Sequence, residues 1–162
     1  MNEIRRMTVQ DVDAVTEIEK VTFARPWTRE DFLREMEVNK VARYLVYVLD
    51  GEIVGYAGAW VILDESHITN IAIREDMRGR GYGKALVKAL LQYLSNLGAE
   101  YATLEVRVSN AAARHVYESL GFVRMGKRPH YYEDNGEDAL LMVCADMPEA
   151  EEDFEEPETV TE

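Results

Sequence analysis

The chain has 162 residues, of which 47% are hydrophobic, and carries a net charge of −13. This length fits a single domain with a continuous core, and we expect no second catalytic domain. The longest apolar run, 54–63, is too short to cross a bilayer, and the first residues lack the pattern of a secretory signal. We therefore expect a cytoplasmic protein without a membrane-bound segment.

The negative charge is concentrated at the C-terminus. Residues 148–162 contain eight carboxylates and no Lys or Arg, so residues 1–147 carry a net charge of only −5. We expect a domain over 1–147 and an acidic tail over 148–162, which is either disordered in isolation or packed against a neighbour. A negative body excludes nucleic acid as the expected partner, whereas an acidic rim can attract a basic peptide, polyamine or protein, or serve solubility alone.

Two helices are predicted to precede the sheet. Thr8 with Asp11, and Thr28 with Asp31, have the spacing of a capping box, and apolar residues follow each pair at helical spacing. The segment 23–27 between them contains Pro26, which favours an extended loop, and two aromatic residues that can line a binding surface.

A hairpin and an alternating series of elements follow. Asp50-Gly51 favours a type I′ turn between strands over 44–49 and 53–62. Further strands are predicted over 67–73, 103–108, 122–128 and 139–144, and helices over 81–97 and 111–120. This order predicts an α/β (α+β) fold in which a mixed sheet carries helices on both faces. The single cysteine, Cys144, falls in the last strand and is expected to be a buried, inert thiol.

A glycine-rich turn opens the long helix. Its residues are Arg78, Gly79, Arg80, Gly81, Tyr82, Gly83 and Lys84. Backbone N–H groups, the positive end of the helix dipole and added basic side chains would converge there, which favours an anion site over an ordinary turn. The spacing matches neither a Walker A motif nor a dinucleotide-binding fingerprint.

Three segments together resemble the GNAT superfamily of acetyltransferases. They are Ile71-Ala72-Ile73, Arg78-x-x-Gly81-x-Gly83, and Asn110-x-x-Ala113-x-x-x-Tyr117-x-x-x-Gly121-Phe122. The resemblance covers nearly the whole body and implies a mostly antiparallel sheet. It also implies that backbone groups of Ile71, Ala72 and Ile73 bind the acetyl-pantetheine arm of acetyl-CoA, that 79–84 bind its pyrophosphate, and that Asn110 contacts the coenzyme.

A narrower resemblance concerns the acceptor. The segments 104–110 and 131–140, together with Pro26-Trp27, are similar to those of the bacterial ribosomal-protein-alanine N-acetyltransferases. That similarity implies that the acceptor is the N-terminal alanine of a small-subunit ribosomal protein. A lysine side chain or a polyamine remains an alternative acceptor, and a non-catalytic acyl-CoA-binding module is an alternative of another class. The acidic tail departs from the usual compact end of the family.

The strand over 103–108 provides a candidate general base. Its apolar residues share one face, so Thr103, Glu105 and Arg107 share the other, which is expected to face a cleft. The resemblance assigns Glu105 the role of general base, whereas spacing alone favours a salt bridge with Arg107 or Arg78.

Tyr117 is the candidate general acid. A tyrosine of pKa about 10 is protonated at neutral pH and can give its proton to a departing thiolate of pKa about 8.5. Packing beneath the helix is the simpler role and is compatible with proton donation. Carbonyl polarisation is expected from a backbone N–H near Ala72 or Ile73, where strands of this superfamily typically bulge.

The acceptor side and the histidines complete the set of candidates. Trp27, Tyr131 and Tyr132 are expected to frame the acceptor, although Trp27 can equally be a hydrophobic staple over the following helix. The histidines at positions 67, 115 and 130 lack metal-ligand or triad spacing, so we expect no metal and no covalent intermediate. Direct transfer in a ternary complex follows, and the sequence leaves the oligomeric state open.

Overall fold

A computed structural model of the protein describes residues 2–156. Among those residues the strands are β1 (Asn2–Arg6), β2 (Ala42–Leu49), β3 (Glu52–Ile62), β4 (Glu65–Ile73), β5 (Tyr101–Arg107), β6 (Val123–Arg128) and β7 (Ala139–Cys144). The helices are α1 (Val12–Thr22), α2 (Arg29–Glu37), α3 (Tyr82–Asn96) and α4 (Ala111–Ser119).

The strands form one mixed sheet in the order β1-β2-β3-β4-β5-β7-β6. Each neighbouring pair is antiparallel except β4 and β5, which run parallel. The predicted mixed, mostly antiparallel sheet is therefore confirmed. The sheet begins before the helices, contrary to the prediction, because β1 precedes α1. The segment Asn2–Arg6 carries one apolar side chain, Ile4, and so lacks the alternation that marks a strand.

The sheet has a hydrophobic core on each of its two faces, and different helices cover the two cores. In β2, Leu45 and Tyr47 belong to the core under α3, whereas Tyr44 and Val46 belong to the core under α1 and α2. Successive strand residues point to opposite faces, so the helices cover both sides of the sheet as predicted. The α3 residues in the first core follow a helical stripe and include Leu86, Val87, Leu90, Leu91 and Leu94.

Local sequence signals determine the turn and the cap as expected. Asp50 and Gly51 both have positive φ, 49° and 84°, which confirms the type I′ hairpin between β2 and β3. The hydroxyl of Thr28 accepts from the N–H of Asp31 at 3.2 Å, and the Asp31 carboxylate accepts from the N–H of Thr28 at 2.9 Å. This reciprocal capping box fixes the start of α2 and therefore the end of the loop before it.

A splay between β4 and β5 positions the functional site. The two strands pair at Glu65–His67 with Tyr101–Thr103. Beyond that point a cleft opens between them. The pairing of β4 with β3 skips Thr69, because Gly58 faces Asn70 and Ala59 faces Ile68. This bulge occurs at Thr69 and not at the expected position near Ala72 or Ile73.

The described part of the tail packs along α3. The Nε2 group of Gln92 donates to the carbonyl of Glu149 at 2.9 Å, and the ring of Phe154 lies 6.2 Å from that of Tyr93. Glu156 accepts from the hydroxyl of Tyr93 at 2.7 Å. Residues 148–156 thus pack against the domain, which is the alternative to disorder that the sequence left open, and the rest of the tail, 157–162, lies outside the described residues.

Candidate active site

A cleft of about 430 Å³ opens where β4 and β5 diverge. Its wall combines both strands with the loop between α1 and α2 and the loop between β6 and β7. The predicted site residues that line it are Trp27, Ile71, Glu105, Asn110, Tyr117, Tyr131 and Tyr132. The structure therefore brings the candidate base, the candidate acid and the candidate acceptor aromatics to one cavity, while the glycine-rich turn lies outside its wall.

Glu105 is nearly enclosed at this cleft. Its side chain is 11% exposed, and Oε2 lies 3.3 Å from Nε of Arg128. Its second oxygen, Oε1, lies 3.5 Å from Nε2 of His67. Spacing alone favours an ion pair of Glu105 with Arg107 or Arg78. In the structure, Glu105 instead pairs with Arg128 on β6. A carboxylate held between an imidazole and a guanidinium can accept a proton and pass it on.

His67 is the functional candidate that sequence reasoning missed. We expected a surface or structural residue, yet its Nδ1 lies 2.8 Å from the hydroxyl of Thr103 while its Nε2 faces Glu105. The parallel register pairs His67 with Thr103, which places the imidazole beside the strand that carries the carboxylate. Only the pairing register of β4 and β5 shows that His67 lies near Glu105, and sequence alone does not provide the register of two strands separated by a helix.

Tyr117 lies on α4 with its ring 5.8 Å from that of Phe122. Burial, together with the nearby Tyr132, raises the pKa of Tyr117 to about 12. The hydroxyl therefore keeps its proton at neutral pH, as a donor to a departing thiolate must. Tyr117 therefore packs against the core and lines the cleft at the same time.

The β6–β7 loop is held against the cleft by Arg107. Its guanidinium lies 4.0 Å from the centre of the Tyr132 ring and 2.9 Å from the carboxylate of Asp134. Cation–π and ionic contacts together fix the ring at the cavity wall. Beside it, a hydrogen bond with Glu105 raises the pKa of Tyr131, so this hydroxyl also stays protonated.

The α1–α2 loop forms the opposite wall. Its Trp27 ring packs 5.3 Å from that of Phe32, and Trp27 precedes the capping residue of α2, so it is the hydrophobic staple weighed as an alternative. It lines the cleft at the same time. The backbone N–H of Trp27 donates to Oε2 of Glu19 at 2.9 Å, and Arg25 reaches across to Glu133 at 3.0 Å. The two loops thus meet over the cleft.

The start of α3 presents backbone donors to solvent. Gly79 and Gly81 have φ of 76° and 84°, and the carbonyl of Gly81 accepts the first helical bond, from Ala85 at 3.1 Å. The N–H groups of 82–84 precede that bond and have no helical acceptor. With the helix dipole, they form a site suited to an anion.

Side chains around this turn divide into two groups. Arg80 and Lys84 are exposed and add positive charge. Arg78 instead donates from Nε to the carbonyl of Ile73 at 2.9 Å, and the ring of Tyr82 packs 4.9 Å from that of Tyr47. These latter two side chains hold the turn against the sheet.

The strand edge between the anion site and the cleft is open. Beyond His67, β4 makes no further pairing with β5 among residues 2–156, so backbone groups of 71–73 are available on that side. Ile71 and Ile73 pack toward α3, and Ala72 packs toward α1. At the far side, Asn110 accepts from the N–H of Ala113 at 3.1 Å and caps α4. An extended ligand can therefore run from the start of α3 to Tyr117.

The remaining histidines and the cysteine lie in surroundings that give them no evident catalytic use. His130 donates from its backbone N–H to Asp138 at 3.0 Å, and His115 is exposed. Burial raises the pKa of the Cys144 thiol, which opposes nucleophilic use. Within residues 2–156, no group of three His, Cys, Asp or Glu side chains is placed to hold a metal ion. In the same range, none of the helices combines the length and apolar character that a membrane span needs.

The family model for the GNAT acetyltransferases matches residues 12–122. The ribosomal protein bS18-alanine N-acetyltransferase of Escherichia coli K12 is 38% identical over 146 residues, covering 88% of this chain and 96% of that protein. This chain belongs to the GNAT family of acetyltransferases. A second relative, from Bacillus subtilis, is also named a ribosomal protein bS18-alanine N-acetyltransferase, although that name is provisional. It is 42% identical over 139 residues, covering 86% of this chain and 92% of that protein.

Solved structures agree with this membership. The crystal structure of the ribosomal-protein-S18-alanine N-acetyltransferase from E. coli has a TM-score of 0.84 and 34% identity, covering 96% of this chain and all of that one. Ard1 from Thermoplasma volcanium has a TM-score of 0.79 and 28% identity, covering 88% of this chain and 95% of that one. GNAT acetyltransferases use acetyl-CoA, and the anion site with its open strand edge fits the charged and extended parts of that molecule.

Proposed function

We propose that the protein transfers the acetyl group of acetyl-CoA to the α-amine of the N-terminal alanine of ribosomal protein bS18. The observation that carries the proposal is the meeting of Glu105 and Tyr117 in one cleft, between an open strand edge and two aromatic loops. The relatives named above as alanine N-acetyltransferases support the choice of acceptor. A ribosomal-protein acceptor places the reaction in the cytoplasm.

Transfer proceeds in a single complex of enzyme, acetyl-CoA and acceptor. Glu105 removes a proton from the acceptor ammonium, directly or through a water molecule, and His67 offers that proton a route to solvent. The neutral amine attacks the thioester carbon, so a C–N bond forms and the C–S bond breaks. As the amide forms, the attacking nitrogen loses a second proton, which Glu105 accepts once the first has left through His67. Tyr117 supplies a proton to the departing thiolate and regains one from solvent.

Backbone geometry assists the attack. Residues 70–73 pair with β3 on one side, and the alternate N–H groups that point away from β3 face the divergence of β4 from β5, next to the bulge at Thr69. A donor fixed at the thioester oxygen stabilises the negative charge that develops as the amine adds. The N–H groups at the start of α3 bind the pyrophosphate and align the thioester with the acceptor.

The test is a panel of acceptors measured by mass spectrometry. Three peptides share one sequence: the first starts with alanine, the second starts with leucine, and the third has a blocked N-terminus and an internal lysine. With acetyl-CoA, we expect acetylation of the alanine peptide at its α-amine. Preference for the blocked lysine peptide, or for spermidine added to the panel, would replace the acceptor assignment. Binding of acetyl-CoA without turnover of any acceptor would favour a non-catalytic module.

A further inference from the structure

The charged side chains of the cleft are paired with one exception. Three of its carboxylates have a cationic partner: Glu105 with Arg128, Glu133 with Arg25, and Asp134 with Arg107. Glu19 lines the same cleft. Within the described range, no ion pair joins Glu19 to a Lys, Arg or His side chain.

Glu19 is also the most buried of these carboxylates, with 3% of the residue exposed. Its Oε2 accepts from the backbone N–H of Trp27 at 2.9 Å, and its Oε1 accepts from the hydroxyl of Tyr56. These two donors supply dipoles and no positive charge, so no cation within residues 2–156 neutralises the Glu19 carboxylate.

We propose that Glu19 binds the positively charged N-terminal ammonium group of the acceptor before Glu105 removes a proton from it. This inference rests on the proposed function, because it requires an amine acceptor in the cleft. An α-amine of pKa about 7.7–8.0 arrives mostly protonated at neutral pH, and the ammonium brings the cation that Glu19 lacks. The two carboxylates then have separate tasks: Glu19 holds the charged amine, and Glu105 accepts its proton.

The position of Glu19 also connects binding of the ammonium group to the loop between α1 and α2, which carries Trp27. The same carboxylate that would meet the ammonium holds the backbone of Trp27. Trp27 in turn packs on Phe32 at the start of α2. Binding of the ammonium therefore occurs at the base of the wall that surrounds the first residue of the acceptor, and a neutral group at that point leaves the anion uncompensated.

The test compares two ligands that differ only in the group at their first residue, which is charged in one and neutral in the other. One is a peptide that begins with alanine, and the other is the same peptide with lactic acid in place of alanine, so that a hydroxyl replaces the ammonium. Affinities are measured by calorimetry at pH 6.5 with CoA present, so no transfer occurs. We expect the wild type to bind the alanine peptide about tenfold more tightly. In Glu19→Gln, the two affinities should become nearly equal.

Two control variants separate charge from packing. Tyr56→Phe removes a hydrogen bond to Glu19 but keeps the carboxylate, and Glu133→Gln neutralises a cleft carboxylate that already has a cationic partner. Both are expected to keep the tenfold preference. Thermal melting establishes that each variant is folded. Should Glu19→Gln not fold, the wild type and Tyr56→Phe still decide the matter, because equal affinities in both overturn the proposal.

The outcomes also separate this inference from the proposed function. A tenfold preference that persists in Glu19→Gln overturns the role of Glu19, whatever the acceptor. Loss of the preference in Glu19→Gln, with both controls unchanged, supports it. If Glu19→Gln loses the ammonium preference but the wild type acetylates the lysine peptide in the acceptor panel, the acceptor assignment fails while the role of Glu19 in binding an ammonium group stands.

Discussion

His67 and Glu105 lie on adjacent parallel strands, with Nε2 of the imidazole 3.5 Å from Oε1 of the carboxylate. The His67 side chain is 39% exposed and that of Glu105 only 11%. A proton taken by the enclosed carboxylate therefore has a neighbour that reaches solvent and can release it.

We predict that His67→Ala lowers turnover by about tenfold, because Glu105 then loses its route for the proton. Added imidazole should restore part of the rate by occupying the space of the side chain. Thr103→Val is the matched control, since it removes the hydroxyl 2.8 Å from Nδ1 and leaves the imidazole in place. Turnover is measured with saturating acetyl-CoA and an alanine-first peptide. An unchanged rate in His67→Ala would return this residue to a structural role.

Glu105→Gln is predicted to reduce turnover mainly at low pH. The mutant cannot take a proton, so it depends on the fraction of acceptor that is already neutral, and this fraction grows as the pH approaches the α-amine pKa of about 7.7–8.0. We expect a loss of about 100-fold at pH 6.5 that shrinks toward pH 9. Rate is measured against pH for both proteins, and coincident profiles would remove the general-base assignment.

Tyr117→Phe is predicted to lower turnover by about 100-fold with little change in acetyl-CoA affinity, because the variant loses only the proton for the thiolate. The pKa of about 12 implies that wild-type Tyr117 stays protonated through pH 9, so ionisation of this group should not reduce the rate below that pH. Turnover and calorimetric affinity are compared for both proteins. Wild-type turnover in the mutant would mean that Tyr117 only packs against Phe122.

Much of the fold and of the site follows from local sequence. The Asp50-Gly51 turn, the Thr28 cap and the side of β5 that carries Glu105 depend on residues within one element, and the sequence predicts each correctly. The motif segments around Asn110 and Tyr117 likewise indicated residues that the fold brings to one cleft.

What the sequence could not provide depends on distant segments meeting. The contact of His67 with Glu105 requires the register of β4 on β5, and Arg128 reaches Glu105 from β6, the far edge of the sheet. The bulge at Thr69 is likewise defined only by its pairing with β3. Acidic composition suggested a disordered tail, but the partners of Glu156 are scattered over β2 and α3 and share no sequence pattern with it.

Gly83→Val is predicted to weaken acetyl-CoA binding by about tenfold, because a branched side chain would obstruct the approach of the pyrophosphate to the backbone. A Cβ at Gly83 would lie 3.5 Å from Ile73, an ordinary contact, so the fold should tolerate the change. Gly126→Val is the control, since a Cβ there meets open space on β6. Affinity is measured by calorimetry, and equal values for both variants and the wild type would remove the anion-site assignment.

Glu156→Gln is predicted to lower the melting temperature at pH 7 by about 2–4 °C, because it weakens charged contacts worth about 1 kcal/mol. The carboxylate lies 2.6 Å from Nε of Arg43 and 2.7 Å from the hydroxyl of Tyr93. Burial raises the pKa of Glu156, but these hydrogen bonds outweigh burial and hold the pKa below its ordinary value. Its stabilising effect is therefore complete above the unfolded pKa and is lost as the pH falls through the folded pKa.

The expected signature is a difference in melting temperature between wild type and Glu156→Gln that is present at pH 7 and disappears in acid below that lowered pKa. Glu155→Gln is the control, since Glu155 is exposed and carries the same charge one residue away.

Removal of 148–162 should lower the melting temperature further, because the contact of Phe154 with Tyr93 is also lost. Acetyl-CoA affinity should not change, because the tail packs beside Gln92 and Tyr93, at the opposite end of α3 from the glycine-rich turn. A truncated protein as stable as the full chain would show that the tail contributes nothing to the fold.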